Sequence, residues 1–470
     1  MQPFRLHVFV CDQQKPEGIS SCSARGSGRT LEALRREIAM AGLADEVQVT
    51  TSGSLGLCER GPNMVVYPEG TWYSGVEPED VPEIVGSHFK EGRPVERLLN
   101  TDPAAVKDEI RGNRDRYLAS LRARETAGAL PEELDQMIRA FRESRIVHTA
   151  LELDVFTAVA GSVDCGAVKE EVAARIGADP RATGMLLDAL TAMGLLTKAA
   201  EHYATTAVSG RFLAAGGRDD ARAALLHNSS LWDRWSHLTE CVKAGTSVTY
   251  RELADREDSW TKPFIAAMHR NATGRAPLVV SAVGTAAGSG PRRLLDVGGG
   301  SGAYAIAFAQ ANPDLTAEVL DLPTVLPITK EHVRVAGLEA RVRTREGDLR
   351  RDPLGSGYDL VLVSAICHML GEDENRDLLR RCATALTAGG RLVIQDFFLE
   401  ADRTAPKSAA LFSINMLVGT ERGSSYSEKE YAAWLGEAGL QDIRRVRLPG
   451  PSGLMIATKG SRGSEAKLDS

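Results

Sequence analysis

No stretch of about 18 or more apolar residues occurs in the chain, so no membrane-spanning helix is expected. The first residues, Met1 to Val8, lack the basic start and long apolar core of a secretory signal. That gives the expectation of a cytoplasmic protein. Positive charge is not in excess either. The formal net charge is −7, which argues against broad binding to nucleic acid or to an anionic membrane. Cysteine is sparse and unevenly placed, with seven in 470 residues and three of them within the first 58. In a cytoplasmic chain, clustered cysteines point to metal or redox chemistry rather than structural disulfides. The length suggests about two to four domains.

Against those absences stands one glycine-dense stretch, Leu294-Leu-Asp-Val-Gly-Gly-Gly-Ser-Gly302. An apolar strand ends at Asp296-Val297, a tight turn follows, and Ala303 to Ala309 reads as a helix. Gly298, Gly300 and Gly302 stand where backbone must turn and approach a ligand. The helix start offers unpaired N–H groups to an acidic ligand. After the next strand comes Asp321, whose carboxylate suits the two hydroxyls of a ribose. From Pro291 onward strands and helices alternate in the manner of a parallel sheet, with strands near Ala340–Arg345, Asp359–Ser364 and Arg391–Phe397. A helix from about Asp373 to Leu386 is expected to stop at Gly389-Gly390.

This half resembles the class I S-adenosylmethionine (SAM) methyltransferases. The resemblance implies that Asp296 and the loop Gly298, Gly300, Gly302 hold the amino-acid part of SAM. It places Asp321 with Leu322 at the ribose, Asp348 with Leu349 at the adenine, and Ser364 at the end of a neighbouring strand. His368, in Ile366-Cys-His-Met-Leu370, sits at a strand's carboxyl end. A neutral hydroxyl is a poor nucleophile, and a histidine can remove its proton. In the family it resembles, a histidine at this place is the general base; here the two residues after it differ. Glu428 matches a family glutamate expected to orient that histidine, and Glu400 is a weaker candidate. Met268, Asn415 and Met416 fall where the family lines its acceptor pocket.

The middle is helical. Ala150-Leu-Glu-Leu-Asp-Val-Phe156, Leu187 to Leu196 and Leu231-Trp-Asp-Arg-Trp-Ser-His-Leu238 look like the dimerisation domain of the hydroxyindole/caffeate-type O-methyltransferases. That domain is winged-helix-like and implies a homodimer. Helix–turn–helix with a wing also suggests DNA, but no basic face is present.

Residues 3 to 100 resemble the thioredoxin-like [2Fe-2S] ferredoxins through Cys11-x10-Cys22, Gly61-Pro62, Val65-Val-Tyr-Pro-Glu-Gly70 and Gly75 to Val85. The resemblance implies a [2Fe-2S] cluster on Cys11, Cys22 and Cys58, with Ser54 where the family has its third cysteine. Soft thiolates are the usual ligands of such clusters.

The expected architecture is an α/β multidomain chain. It comprises a ferredoxin-like domain (1–100), a helical linker (101–129), a helical dimerisation domain (130–275), a doubly wound SAM domain (276–460) and a polar tail (461–470). The expected activity is methyl transfer to a hydroxyl of a small aromatic or specialised metabolite. Two alternatives stand beside it: a SAM-binding hydroxylase or redox enzyme of the same fold that uses the Fe-S domain, with a redox partner protein as a further candidate partner, and a non-catalytic partner-binding module.

Overall fold

The computed structural model describes residues 3–15, 19–128, 130–162, 166–250, 258–284 and 290–460. The expected tail, 461–470, lies outside them. The chain forms two compact units, Met1–Phe141 and Arg142–Ser470.

In the first unit, β1 (Leu6–Cys11), β2 (Val47–Ser52), β3 (Asn63–Tyr67) and β4 (Thr71–Ser74) form a sheet in the order β2-β1-β3-β4. β1 runs parallel to β2 and antiparallel to β3. Leu6, Val8 and Val10 alternate along β1, so one face of the strand is apolar and buried. Leu31, Leu34 and Ile38, spaced as one face of the helix Ser27–Met40, cover it. β3 and β4 pair as a hairpin. Residues 78–90 form short helical turns ending in a π-helical segment, Ile84–Lys90. Helix Pro103–Thr126 follows, with the Asp102 carboxylate accepting from the N–H groups of Ala104 and Ala105.

The second unit opens with helices, among them Val155–Ala160, Lys169–Ile176 and Pro180–Ala192, and a hairpin of β5 (Leu196–Ala199) with β6 (His202–Thr205). Leu151, Phe156, Leu187, Leu190 and Tyr203 close its core. A long helix, Asp258–Val283, leads to the large sheet.

That sheet contains β7 (Arg293–Val297), β8 (Thr316–Asp321), β9 (Val342–Glu346), β10 (Tyr358–Ser364), β11 (Leu386–Asp396), β12 (Leu440–Arg447) and β13 (Gly453–Lys459). Their order is β12-β13-β11-β10-β7-β8-β9. β7 to β11 are parallel, and β13 is antiparallel to both of its neighbours. The central strands are apolar throughout because both faces are covered. Leu295, Val297, Val361 and Val363 pack beneath Leu378, Tyr431 and Trp434. Leu294, Leu360 and Leu362 face Val279 and Phe308.

One expectation is corrected here. The helix ends at Ala385, and Gly389-Gly390 lies inside β11. The glycines absorb a register shift, since Tyr358 pairs with Leu386 but Leu360 pairs with Arg391. No helix among the described residues is long and apolar enough to cross a membrane.

Candidate active site

The carboxyl ends of β7, β8, β10 and β11 converge on one edge of the sheet, where open α/β sheets bind ligands. Beyond β7 the backbone of Gly298, Gly300 and Gly302 takes φ of 66°, 56° and 76°. A side chain is disfavoured in that region. Gly299 is required for a different reason. A Cβ on it would lie 2.7 Å from the Asp296 carboxylate.

Asp296 is fully buried, and neither carboxylate oxygen has a partner in hydrogen-bond geometry among the described residues. Burial pushes its carboxyl up to about 7, with the Ala305 backbone N–H opposing the rise. The Asp321 carboxylate accepts from the N–H groups of Gly300 and Leu322, both at 2.7 Å, which ties β8 to the loop. Asp348 accepts from the Arg350 N–H at 2.9 Å and pairs with Arg351 at 2.7 Å. Leu349 packs against the core and would meet a side chain placed on Gly298. A buried carboxylate without a partner in hydrogen-bond geometry among the described residues, beneath a glycine-dense loop, fits a ligand that brings an ammonium group to a backbone cradle.

Beyond β10 the backbone of Ala365 takes φ of 56°, an uncommon conformation without glycine, and Cys367–Met369 forms a tight turn. The turn carries His368 onto Asp396, the last residue of β11. His368 Nδ1 lies 2.6 Å from Asp396 Oδ1, and the His368 backbone N–H donates to Oδ2 at 3.1 Å. The Phe397 N–H donates to Oδ1 at 2.8 Å, and the Tyr431 hydroxyl to Oδ2 at 3.2 Å. With Nδ1 as donor to the carboxylate, the neutral ring keeps its lone pair on Nε2. The His368 ring meets Phe412 edge-on, with centroids 4.9 Å apart, and Phe397 lies 4.1 Å from Phe412.

Glu428 and Glu400 do not hold this histidine. Glu428 opens the helix Glu428–Glu437 and faces Arg445 at 3.9 Å, while Glu400 faces Arg447 at 3.5 Å. Asp396 occupies the role expected of them. The available signal was an acid at the end of a parallel strand adjacent to the histidine's own strand.

Of the expected pocket residues, Met416 is buried and Met268 is half-buried. Asn415 accepts from Trp235 Nε1 at 3.0 Å, which makes Trp235 a neighbour of that position. Ser364 donates to Gln395 at 2.6 Å, and Gln395 donates to Ser452 at 2.6 Å. Ser301 in the glycine loop meets His269 at 2.8 Å, and the His269 ring stacks on His332. Trp235 lies in a stretch that carried the dimerisation-domain resemblance, whereas Gln395 and His269 carried no sequence signal of their own.

In the first unit, Cys11, Cys22 and Cys58 come together, all buried, with their sulfurs within 4.8 Å of one another. Asn63 donates to Cys22 Sγ at 3.3 Å and to the Leu57 carbonyl at 2.7 Å. Hydrogen bonds from Cys11 and Cys22 hold the Cys58 thiol far below the usual range. Ser54 is exposed, and its hydroxyl accepts from the Gly56 N–H at 3.1 Å.

Comparison with known proteins gives this geometry a context. Residues 235–441 match an O-methyltransferase domain, and residues 135–215 match an O-methyltransferase dimerisation domain. The chain is 33% identical over 338 residues to a 3-hydroxy-5-methyl-1-naphthoate 3-O-methyltransferase of Streptomyces sahachiroi, covering 70% of this chain and 95% of that one. It is 31% identical over 344 residues to a tetracenomycin polyketide synthesis 8-O-methyl transferase of Streptomyces glaucescens, covering 70% and 97%. Among solved structures, human N-acetylserotonin methyltransferase in complex with SAM superposes with a TM-score of 0.61 at 25% identity, covering 70% and 97%. An O-methyltransferase family protein of Burkholderia thailandensis superposes with a TM-score of 0.64 at 27% identity, covering 71% and 100%. The seven-stranded sheet and helical domain are thus those of a class I SAM methyltransferase, and SAM is the cofactor of this group. The chain belongs to the O-methyltransferase family and is a SAM-dependent O-methyltransferase.

Proposed function

We propose that the enzyme methylates a hydroxyl on a small aromatic metabolite, with His368 as general base. The observation that carries this reading is the His368–Asp396 pair, placed beside the Phe397–Phe412 rings at the sheet's ligand-binding edge. SAM supplies an electrophilic methyl group on a sulfonium. His368 Nε2 accepts the proton of the acceptor hydroxyl. The Asp396 carboxylate keeps the ring oriented and stabilises the imidazolium that forms. The aromatic faces of Phe412 and Phe397 suit a flat acceptor and exclude water from the base. The named relatives act on a hydroxynaphthoate and in tetracenomycin polyketide synthesis, in keeping with an aromatic acceptor.

Asp296 would face the ammonium of SAM and Asp321 the ribose, with Leu322 beside it. Asp348 and Leu349 would flank the adenine, with Ser364 near the sulfonium end. Met268, Asn415 and Met416 would wall the acceptor pocket. Glu428, by its place at a helix start, serves local structure. The dimerisation domain supports a homodimer, and the protein is read as cytoplasmic. His368→Gln tests the central claim: turnover of 3-hydroxy-1-naphthoate should fall by about 10²–10⁴-fold, with SAM affinity by calorimetry unchanged. Turnover within a few-fold of the parent would remove His368 as the base.

For the first unit we infer a thioredoxin-like domain related to the ferredoxins, supported by the β2-β1-β3-β4 order and the three converging cysteines. A [2Fe-2S] cluster does not fit the residues present. It needs four protein ligands on two irons, whereas Ser54 is exposed and engaged with its own loop. No observation therefore favours a redox partner or hydroxylation chemistry.

A further inference from the structure

We propose that Cys11, Cys22 and Cys58 form a site for a single zinc ion, held by three thiolates with its fourth ligand supplied from outside the cysteine set. The reading concerns the first unit and stands apart from methyl transfer.

Three observations lead to it. The first is how the thiols are grouped. A two-iron cluster divides its protein ligands between two irons, so the thiolates on one iron stand apart from those on the other. Here no thiol stands apart, since all three sulfurs lie within 4.8 Å of one another. One tetrahedral zinc with bonds near 2.3 Å places its sulfurs about 3.8 Å apart. The trio is thus gathered within the range of a single ion's ligands.

The second is burial and surroundings. All three cysteines are 2% exposed or less. Gly61 brings backbone against the site, because a Cβ there would lie 2.7 Å from Cys22 Sγ. The Asn63 amide donates to Cys22 Sγ while its own oxygen accepts from Ser74, so the donor is fixed in place. Such outer hydrogen bonds orient and stabilise metal-bound thiolates. Lys15 sits over the Tyr117 ring at 5.1 Å and acts on Cys58 through its charge. A cation near the site offsets the net negative charge of three thiolates around a dication.

The third is the donor set. Three soft sulfurs, with Ser54 turned to Gly56, suit a borderline-soft ion that tolerates three protein ligands.

The experiment is metal and sulfide analysis of the full-length chain purified without added metal and without oxygen, alongside Ser54→Ala, Cys58→Ala and Asn63→Asp. Circular dichroism and SAM binding would report folding of each variant. The proposal expects about one zinc and no sulfide per chain, a colourless protein, and full zinc occupancy in Ser54→Ala. Cobalt(II) exchanged into the parent should give the visible absorption of a tetrahedral thiolate site, lost in folded Cys58→Ala. If Cys58→Ala does not fold, Asn63→Asp replaces it and should retain zinc with a raised dissociation constant. Two irons with two sulfides, lost in Ser54→Ala, would overturn the proposal in favour of a serine-ligated cluster. A folded parent that takes up neither zinc nor cobalt would overturn it as well. Neither result bears on the methyltransferase reading, because metal content is read without turnover.

Discussion

Two aspartates at the sheet's ligand edge share burial and differ in everything else. Asp296 lies next to the end of β7 and Asp396 closes β11, and both are 0% exposed. Asp396 receives four hydrogen bonds, from His368 Nδ1 and from the His368, Phe397 and Tyr431 donors around it. Asp296 receives none in hydrogen-bond geometry among the described residues. A satisfied carboxylate is a fixture that can hold a neighbouring group in one tautomer. An unsatisfied one is kept at a cost in folding free energy, which a ligand can offset. The comparison teaches which acid serves the protein's own geometry and which is kept for what binds.

The largest effect expected from breaking this contrast is at Asp396. Asp396→Asn preserves size but presents an amide to Nδ1, which favours the wrong imidazole tautomer. We expect kcat to fall by about 10²–10⁴-fold with SAM affinity retained. Steady-state kinetics and calorimetry separate the two, and loss of SAM binding instead would place Asp396 in the cofactor site.

Asp296→Asn should do the opposite. SAM affinity should weaken by about 10-fold or more, while the ligand-free protein becomes more stable at alkaline pH. The sign follows from the carboxyl raised to about 7. Its ionised form costs stability above that pH, and the cost disappears as pH falls toward the unfolded value near 4. Denaturant melts of the parent between about pH 5 and 8 should therefore show stability rising as pH falls, by as much as a few kcal/mol. The variant should show a flatter profile. Equal slopes in the two proteins would mean that Asp296 is not ionised at a cost.

The smallest effect sharpens the contrast from outside it. Glu428 is partly exposed, with Arg445 3.9 Å away. Glu428→Gln should change stability by less than about 0.5 kcal/mol and leave kcat within about twofold. A loss of activity comparable to that of Asp396→Asn would restore Glu428 as a partner of the histidine.

Local pattern made much of this legible. The glycine loop and the strand–helix alternation of the large sheet express preferences of residues close in sequence. His368 was legible because it follows a long apolar strand. Its partner was not. Asp396 is 28 residues away, and its place at the end of a strand becomes a signal only once that strand is known to lie beside the histidine's own. The Gly389-Gly390 pair was misread as a helix stop because the same residues serve a bulge within β11.

What the sequence alone determined is the order of elements, the ligand-facing loop, the histidine, and the presence of three cysteines with a serine where the resembling family has its third. Those properties depend on backbone preference and short-range periodicity. What only the tertiary structure decided is which groups meet. Placing β10 between β7 and β11 sets Asp396 under His368, and packing beneath the glycine loop leaves Asp296 without a partner in hydrogen-bond geometry among the described residues. In the first unit, pairing β1 with β3 brings the chain around Cys11 and Cys58 together, so that three thiols gather while Ser54 turns outward. Contacts of this kind arise from strand order and burial, which no local run of residues encodes.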